Sequence, residues 1–451
     1  MNRLVDSSLL AWKSAPRRRV LLVRGARQVG KTYAVRQLGK SFEHFVEINF
    51  ERDFEVKSFF EGSIDPEVIC QKLSIYARKP IAAGRTLVFF DEVQAFPPAL
   101  HSLRFFHESM PELHVVSAGS LLEFALGEIP SQGVGRQTSL YMYPMCFPEF
   151  LMAVGEERLG DAIGGALARG EALDEPFHRR CLDHARVHMI LGGMPAVVSE
   201  YAASRDVEAC QGILDDLLQF LRDDFVKYRT RVASSKLEET LSSVARQAGG
   251  KFSHTRAAGG SPIAGHKAAL SLLVKAGLVH LACHTGSRGV PLGAYKNEKK
   301  FKAFPFDTGL YQRMLNLDLS HHIVKDSVRL VNEGALAEAY AGVELIAGMP
   351  KHLKAEIYYW HREARGSHAE VDYVIDRRGS VVPVEVKAGG RGAMKSMHVF
   401  LDEGLAERGI RLSQENFGKV NGIEIVPFYA ASWVPGGDSI SEHGDCPADA
   451  G

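Results

Sequence analysis

Residues 25–32 read Gly-Ala-Arg-Gln-Val-Gly-Lys-Thr, an unbroken G-x-x-x-x-G-K-[ST] string. No other feature restricts the fold as far, because such a loop works only between a buried strand and a helix. Both flanks comply: residues 19–24 (RVLLVR) form an apolar, strand-like run, and residues 31–38 continue as a helix. Gly25 and Gly30 free the backbone to curl, so that the N–H groups of Ala26, Arg27, Gln28 and Val29 converge on phosphate oxygens. Lys31 then reaches the β- and γ-phosphates, and the Thr32 hydroxyl is placed to ligate Mg²⁺. The positive end of the following helix adds to the attraction. The predicted cofactors are ATP and Mg²⁺.

A loop of this kind needs acids at a neighbouring strand tip, and residues 86–92 (TLVFFDE) supply them. In a parallel sheet that tip lies beside the loop. Asp91 is predicted to hold the metal through water, and Glu92 to polarise the attacking water. Further strand-like runs at 45–50 and 114–118 are separated by helical stretches, which predicts an α/β domain with a parallel sheet covered on both faces. Two more residues follow from position. Ser120, past the 114–118 strand, either orients water or γ-phosphate or simply turns the chain from strand to helix. Arg136, before another apolar segment, either stabilises transferred charge across a partner surface or is a solvated arginine.

The 451 residues are too many for a single core. Net charge is zero, yet residues 227–302 hold fourteen Lys/Arg against three acids, a local balance of +11. Within that segment, residues 237–248, 262–276 and the alternating run 277–284 look like a winged helix, with a wing around 286–289. The expected partner is a nucleic acid, DNA ahead of RNA, met by Arg229, Arg231, Lys251, Arg256, Lys267, Lys275, Lys296, Lys299 and Lys300. The competing reading is a packing module with a solvated lysine face. No apolar run approaches the ~20 residues of a membrane span, and the first residues lack a signal-peptide pattern. Cys70, Cys146, Cys181, Cys210, Cys283 and Cys446 are scattered without metal-ligand spacing. A cytoplasmic protein with no membrane partner is expected.

Near the C-terminus, residues 370–375 (EVDYVI) alternate as a strand, 377–379 turn the chain, and 381–387 return antiparallel. Period-two alternation puts Glu385 and Lys387 on one face, with Asp372 opposite Val384 or Glu385. Adjacent carboxylates repel unless a cation separates them, and oxygen ligands favour Mg²⁺. One reading makes Asp372 and Glu385 metal ligands and Lys387 the group that holds water or steadies a developing phosphorane charge. The other is a surface ion-pair cluster.

Several strings in order, RGARQVGKT (24–32), LVFFDEVQ (87–94), SAGSLLEF (117–124), LGGMPAVV (191–198), LRDDFVKY (221–228), FPFDTGLY (304–311) and VVPVEVKAG (381–389), resemble a bacterial and archaeal AAA+-type ATPase family. Its members carry a C-terminal domain similar to PD-(D/E)xK nucleases. The resemblance implies an AAA+-like P-loop ATPase core over residues 1–160 and a helical lid over 161–234. A winged-helix segment would follow at 235–300, and a nuclease-like α/β domain at 301–431, with a disordered tail from 432. It also implies that Glu338 is the helix acid of the nuclease site. The resulting expectation is an ATP-hydrolysing protein acting on nucleic acid. The alternative is a nucleotide-gated switch that recruits partners, its nuclease-like domain inactive. A homo-oligomer is left open.

Overall fold

The computed structural model describes residues 2–61, 64–120, 122–123, 126, 135–228, 231–317, 333–362, 369–388 and 394–436. Arg229, expected to meet phosphate, lies outside these residues. The first sheet has the order β2-β3-β4-β1-β5. Its strands are β1 (Val20–Arg24), β2 (His44–Asn49), β3 (Thr86–Asp91), β4 (His114–Ala118) and β5 (Gln137–Tyr141). Every pairing in it is parallel.

Alternation explains why these strands are apolar throughout. Leu21, Val23, Leu87 and Phe89 enter one core, beneath helices Val5–Ser14 and Lys31–Gly39. Val20, Leu22, Val88 and Phe90 enter a second core, under helices Pro66–Ala77 and Pro97–Ser109. Phe90 sits edge-on to Phe50 at 5.7 Å and to Phe106 at 5.8 Å, with no exposed surface. Truncating it to alanine is expected to cost about 3–5 kcal/mol, read as a lowered urea midpoint.

Five helices follow, from Phe147–Ala153 to Val207–Asp223, and then a compact trio: Ser234–Gln247, His254–Ala258 and Ile263–Lys275. The fully buried His266 ties the trio together through Thr240 and Ser261, each at 3.0 Å.

The second sheet has eight strands in the order β12-β13-β11-β10-β9-β8-β6-β7. They are β6 (Val279–Thr285), β7 (Lys296–Pro305), β8 (Ile357–His361), β9 (Glu370–Arg377), β10 (Ser380–Val386), β11 (Gly409–Ser413), β12 (Gly418–Val420) and β13 (Ile423–Pro427). β6 pairs antiparallel with β7 and parallel with β8. The segment expected as a wing is therefore the connection of a hairpin built into the C-terminal sheet. The division expected at 300/301 falls inside β7, whose second half is apolar and buried and needs that sheet to pack on. Pro305 ends an edge strand, where its missing donor costs no ladder bond.

The disordered tail expected from residue 432 does not begin there. Phe428–Trp433 and Val434 are buried against helix Glu333–Gly348. The approach is so close that a Cβ at Gly348 would lie 1.9 Å from the Ser432 carbonyl oxygen. Residues 437–451 lie outside the described residues. Among the described residues, no helix is long and apolar enough to cross a membrane.

Candidate functional site

The order of the first sheet brings the tips of β1, β3 and β4 to one edge. The loop after β1 needs its glycines. Gly25 has φ +146°, and a Cβ there would meet the Met142 carbonyl oxygen at 2.2 Å; Gly30 has φ +93° and starts the helix. The Lys31 ammonium donates to the carbonyls of Gly25 (3.0 Å) and Ala26 (2.7 Å). Burial lowers its pKa to about 8, against the pull of Glu92 and Asp91. The Thr32 hydroxyl donates to Asp91 at 3.1 Å, and the Asn49 amide to the same carboxylate at 3.3 Å. Burial, then the Glu92 charge, raises the Asp91 pKa. A hydroxyl beside a carboxylate is an all-oxygen donor set that fits Mg²⁺.

Glu92 turns the chain with φ +49°, a conformation that costs a non-glycine residue about 1–3 kcal/mol and is held only by its surroundings. Its carboxylate accepts from Gln94 at 2.5 Å and from Ser120 at 3.4 Å. A Cβ at Gly119 would fall 1.9 Å from the Gln94 side-chain oxygen, so this glycine makes room for the amide. Ser120 thus faces the carboxylate, beyond merely turning the chain.

Sequence reasoning passed over Gln94, Asn49 and Arg3. The buried Arg3 pairs with Glu149 (2.8 Å) and donates to the Val29 carbonyl (2.8 Å), bracing the loop from behind. Within the loop, Arg27 pairs with Asp224 at 2.5 Å, which gives the 221–228 string a contact with the nucleotide loop.

A second polar cluster lies in the eight-stranded sheet. Tyr373 pairs with Val384, which sets Asp372 level with Glu385, and the Val386 N–H donates to Asp372 at 2.9 Å. Lys387 bonds Glu385 at 2.7 Å. The cation among the acids is Lys302, from β7. Its ammonium lies 2.8 Å from Glu338, 2.9 Å from Glu370 and 3.3 Å from Asp372, and its side chain is 2% exposed. Burial raises the Glu338 pKa to about 7 despite Lys302, and burial and then Asp372 raise that of Glu385. Of the expected metal ligands, Glu338 and Asp372 thus pair with Lys302, and Glu385 pairs with Lys387. Among the described residues, no group of three or more His, Cys, Asp or Glu side chains could hold a metal ion. Lys302 had a legible signal, a lone lysine in the apolar run FKAFPF.

Residues 17–151 match the AAA domain family. Two families described as domains of unknown function match residues 182–321 (DUF8612) and 333–430 (DUF4143). Similar solved structures include the Walker-type ATPase PABY2304 of Pyrococcus abyssi. It is 16% identical with a TM-score of 0.44, over 70% of this chain and 96% of that one. Another is the Aeropyrum pernix ORC1 protein in complex with DNA, 15% identical with a TM-score of 0.29, over 72% and 95%. No curated protein matches.

Arg136 does not reach the sheet edge that carries residues 25–32. The parallel register aligns Gln137 with Val20, so Arg136 sits at the opposite end of the sheet from the loop, 43% exposed and paired with Glu108 at 2.5 Å. Arg136→Ala is accordingly expected to leave ATP turnover by dilute protein unchanged, as read by phosphate release.

The basic residues divide into two groups. Arg231, Arg256, Lys267, Lys275, Lys299 and Lys300 are exposed. Lys251 is tied to Glu370 at 3.1 Å, and Lys296 to Glu298 (3.4 Å) and Glu356 (3.8 Å). Those two pair with acids of their own chain, with which a phosphate would have to compete. Lys275 and Lys296 also border a 240 Å³ cavity against Gly25, Ala26 and Ser120 of the five-stranded unit.

Proposed function

We propose that the chain binds ATP with Mg²⁺ at residues 25–32 and hydrolyses it. The observation that carries this reading is the convergence of Lys31, Thr32, Asp91, Glu92 and Ser120 at one sheet edge. Thr32 and Asp91 are the residues to hold Mg²⁺, which would neutralise phosphate charge. Lys31 leaves the loop carbonyls for the β- and γ-phosphates, and Glu92, aimed by Gln94 and Ser120, takes the proton of the attacking water.

Lys31→Ala is expected to abolish nucleotide binding, measured with a fluorescent ATP analogue. The pH dependence has a defined sign. Lys31 binds phosphate as the ammonium, and its pKa in the free protein is lowered to about 8. Affinity should therefore hold below that pH and fall above it, approaching roughly tenfold per pH unit. A flat profile would remove Lys31 from the phosphate contacts.

The nucleotide cycle serves, in this reading, a nucleic acid bound to the basic segment, DNA ahead of RNA. Support comes from helix Ile263–Lys275, whose exposed residues Ala264, Lys267, Ala268, Ser271 and Lys275 form one face of small and basic side chains. Such a face can enter a groove closely. A second reading, the nucleotide-gated switch without cleavage, is favoured by Lys302.

A further inference from the structure

We infer that Lys302 is a built-in cation that closes the C-terminal carboxylate cluster to divalent metals, leaving this domain without metal-dependent cleavage. An ammonium has three donors, and Glu338, Glu370 and Asp372 stand around this one at 2.8, 2.9 and 3.3 Å. A Mg²⁺ or Mn²⁺ ion would need some of the same oxygens at about 2.0–2.1 Å, which sets a double charge against the ammonium. The two cannot share the site.

The lysine is also held in place. Its backbone lies in the β6–β7 ladder opposite Ala282 and bridges to Lys251 on the other side. Its ammonium lies 5.6 Å from the Tyr359 ring centroid, and the side chain has almost no exposed surface through which to withdraw. Neighbouring lysines add to this: Lys251 also pairs with Glu370, and Lys387 takes the remaining acid, Glu385. Lys387, the group expected to handle water, is committed to its strand neighbour.

The cluster thus acts as a clasp. It fastens β7, which continues from the basic helices, to β9 and to helix Glu333–Gly348. This assignment stands whether or not the AAA domain hydrolyses ATP.

The test is Mn²⁺ binding by the full-length chain, followed by calorimetry and by the loss of the free-ion paramagnetic signal. An Asp91→Asn background keeps the nucleotide loop from registering. With Lys302 in place, no Mn²⁺ should bind. The Lys302→Met, Glu370→Gln double variant removes one charge of each sign and retains Glu338, Asp372 and Glu385. It should gain one Mn²⁺ per chain and melt at a higher temperature when Mn²⁺ is present. One Mn²⁺ bound by the chain with Lys302 intact, and lost in Asp372→Ala, Glu385→Ala, overturns the inference. So does plasmid cleavage by that chain that disappears in the same variant. If the Lys302→Met, Glu370→Gln variant folds yet binds no Mn²⁺, the ammonium is not what excludes the metal. If it does not fold, the chain with Lys302 intact decides alone.

Discussion

Glu92→Gln is expected to keep ATP binding and to lower turnover by about 10²–10⁴-fold, the usual worth of a positioned general base. The amide has nearly the shape of the carboxylate but cannot accept a proton from water. The site holds this side chain on purpose-built contacts: Gln94 and Ser120 both donate to it, and a strained backbone at φ +49° points it inward. Either donor should tolerate the substitution, since the amide keeps one acceptor oxygen. A fluorescent-nucleotide titration beside a phosphate-release assay separates the two effects. Hydrolysis at the parent rate would move the base elsewhere, with the adjoining Asp91 carboxylate the next to test.

Binding of duplex DNA should be steeply dependent on salt, falling by roughly 10³ or more between 50 and 200 mM for about six phosphate contacts. Reversing Arg256, Lys267, Lys299 and Lys300 together to glutamate should weaken binding to all sequences alike and flatten the salt slope. All four are exposed, and Lys251 and Lys296, each paired with an acid of the chain, are left in place. Fluorescence anisotropy in low salt reads both effects. Absence of binding there would leave the basic segment as a packing module.

The candidate nucleotide site was largely legible because its geometry is local. A glycine at φ +93° followed by a lysine and a threonine encodes the loop, and an apolar strand ending in two acids encodes its neighbour. The place of Arg136 at the far end of the sheet was not legible, because it depends on the direction and register of β5, which a five-residue strand does not write. The eight-stranded sheet was legible only in pieces. Alternation marked β9 and β10, but nothing local indicates that β6 pairs with β8 across more than seventy intervening residues. The lone lysine of FKAFPF was visible, but its partners were not: Lys302 meets Glu338 and Asp372 only once the chain has folded across those intervening residues. Arg3 and Asp224 were missed because each supports the loop from a distant part of the chain.

Gly277 has φ +75°, and a Cβ there would come within 3.3 Å of the Ala26 nitrogen. Two residues later β6 begins, bonded to β7 on one side and β8 on the other. The phosphate loop therefore bears directly on the root of a strand in the other sheet, with no linker between them. A movement of Ala26 toward Gly277 by tenths of an ångström would use up the space that the missing side chain leaves. This glycine fixes the clearance between the two parts, so Gly277→Ala would act as a shim, preloading the contact before any nucleotide arrives.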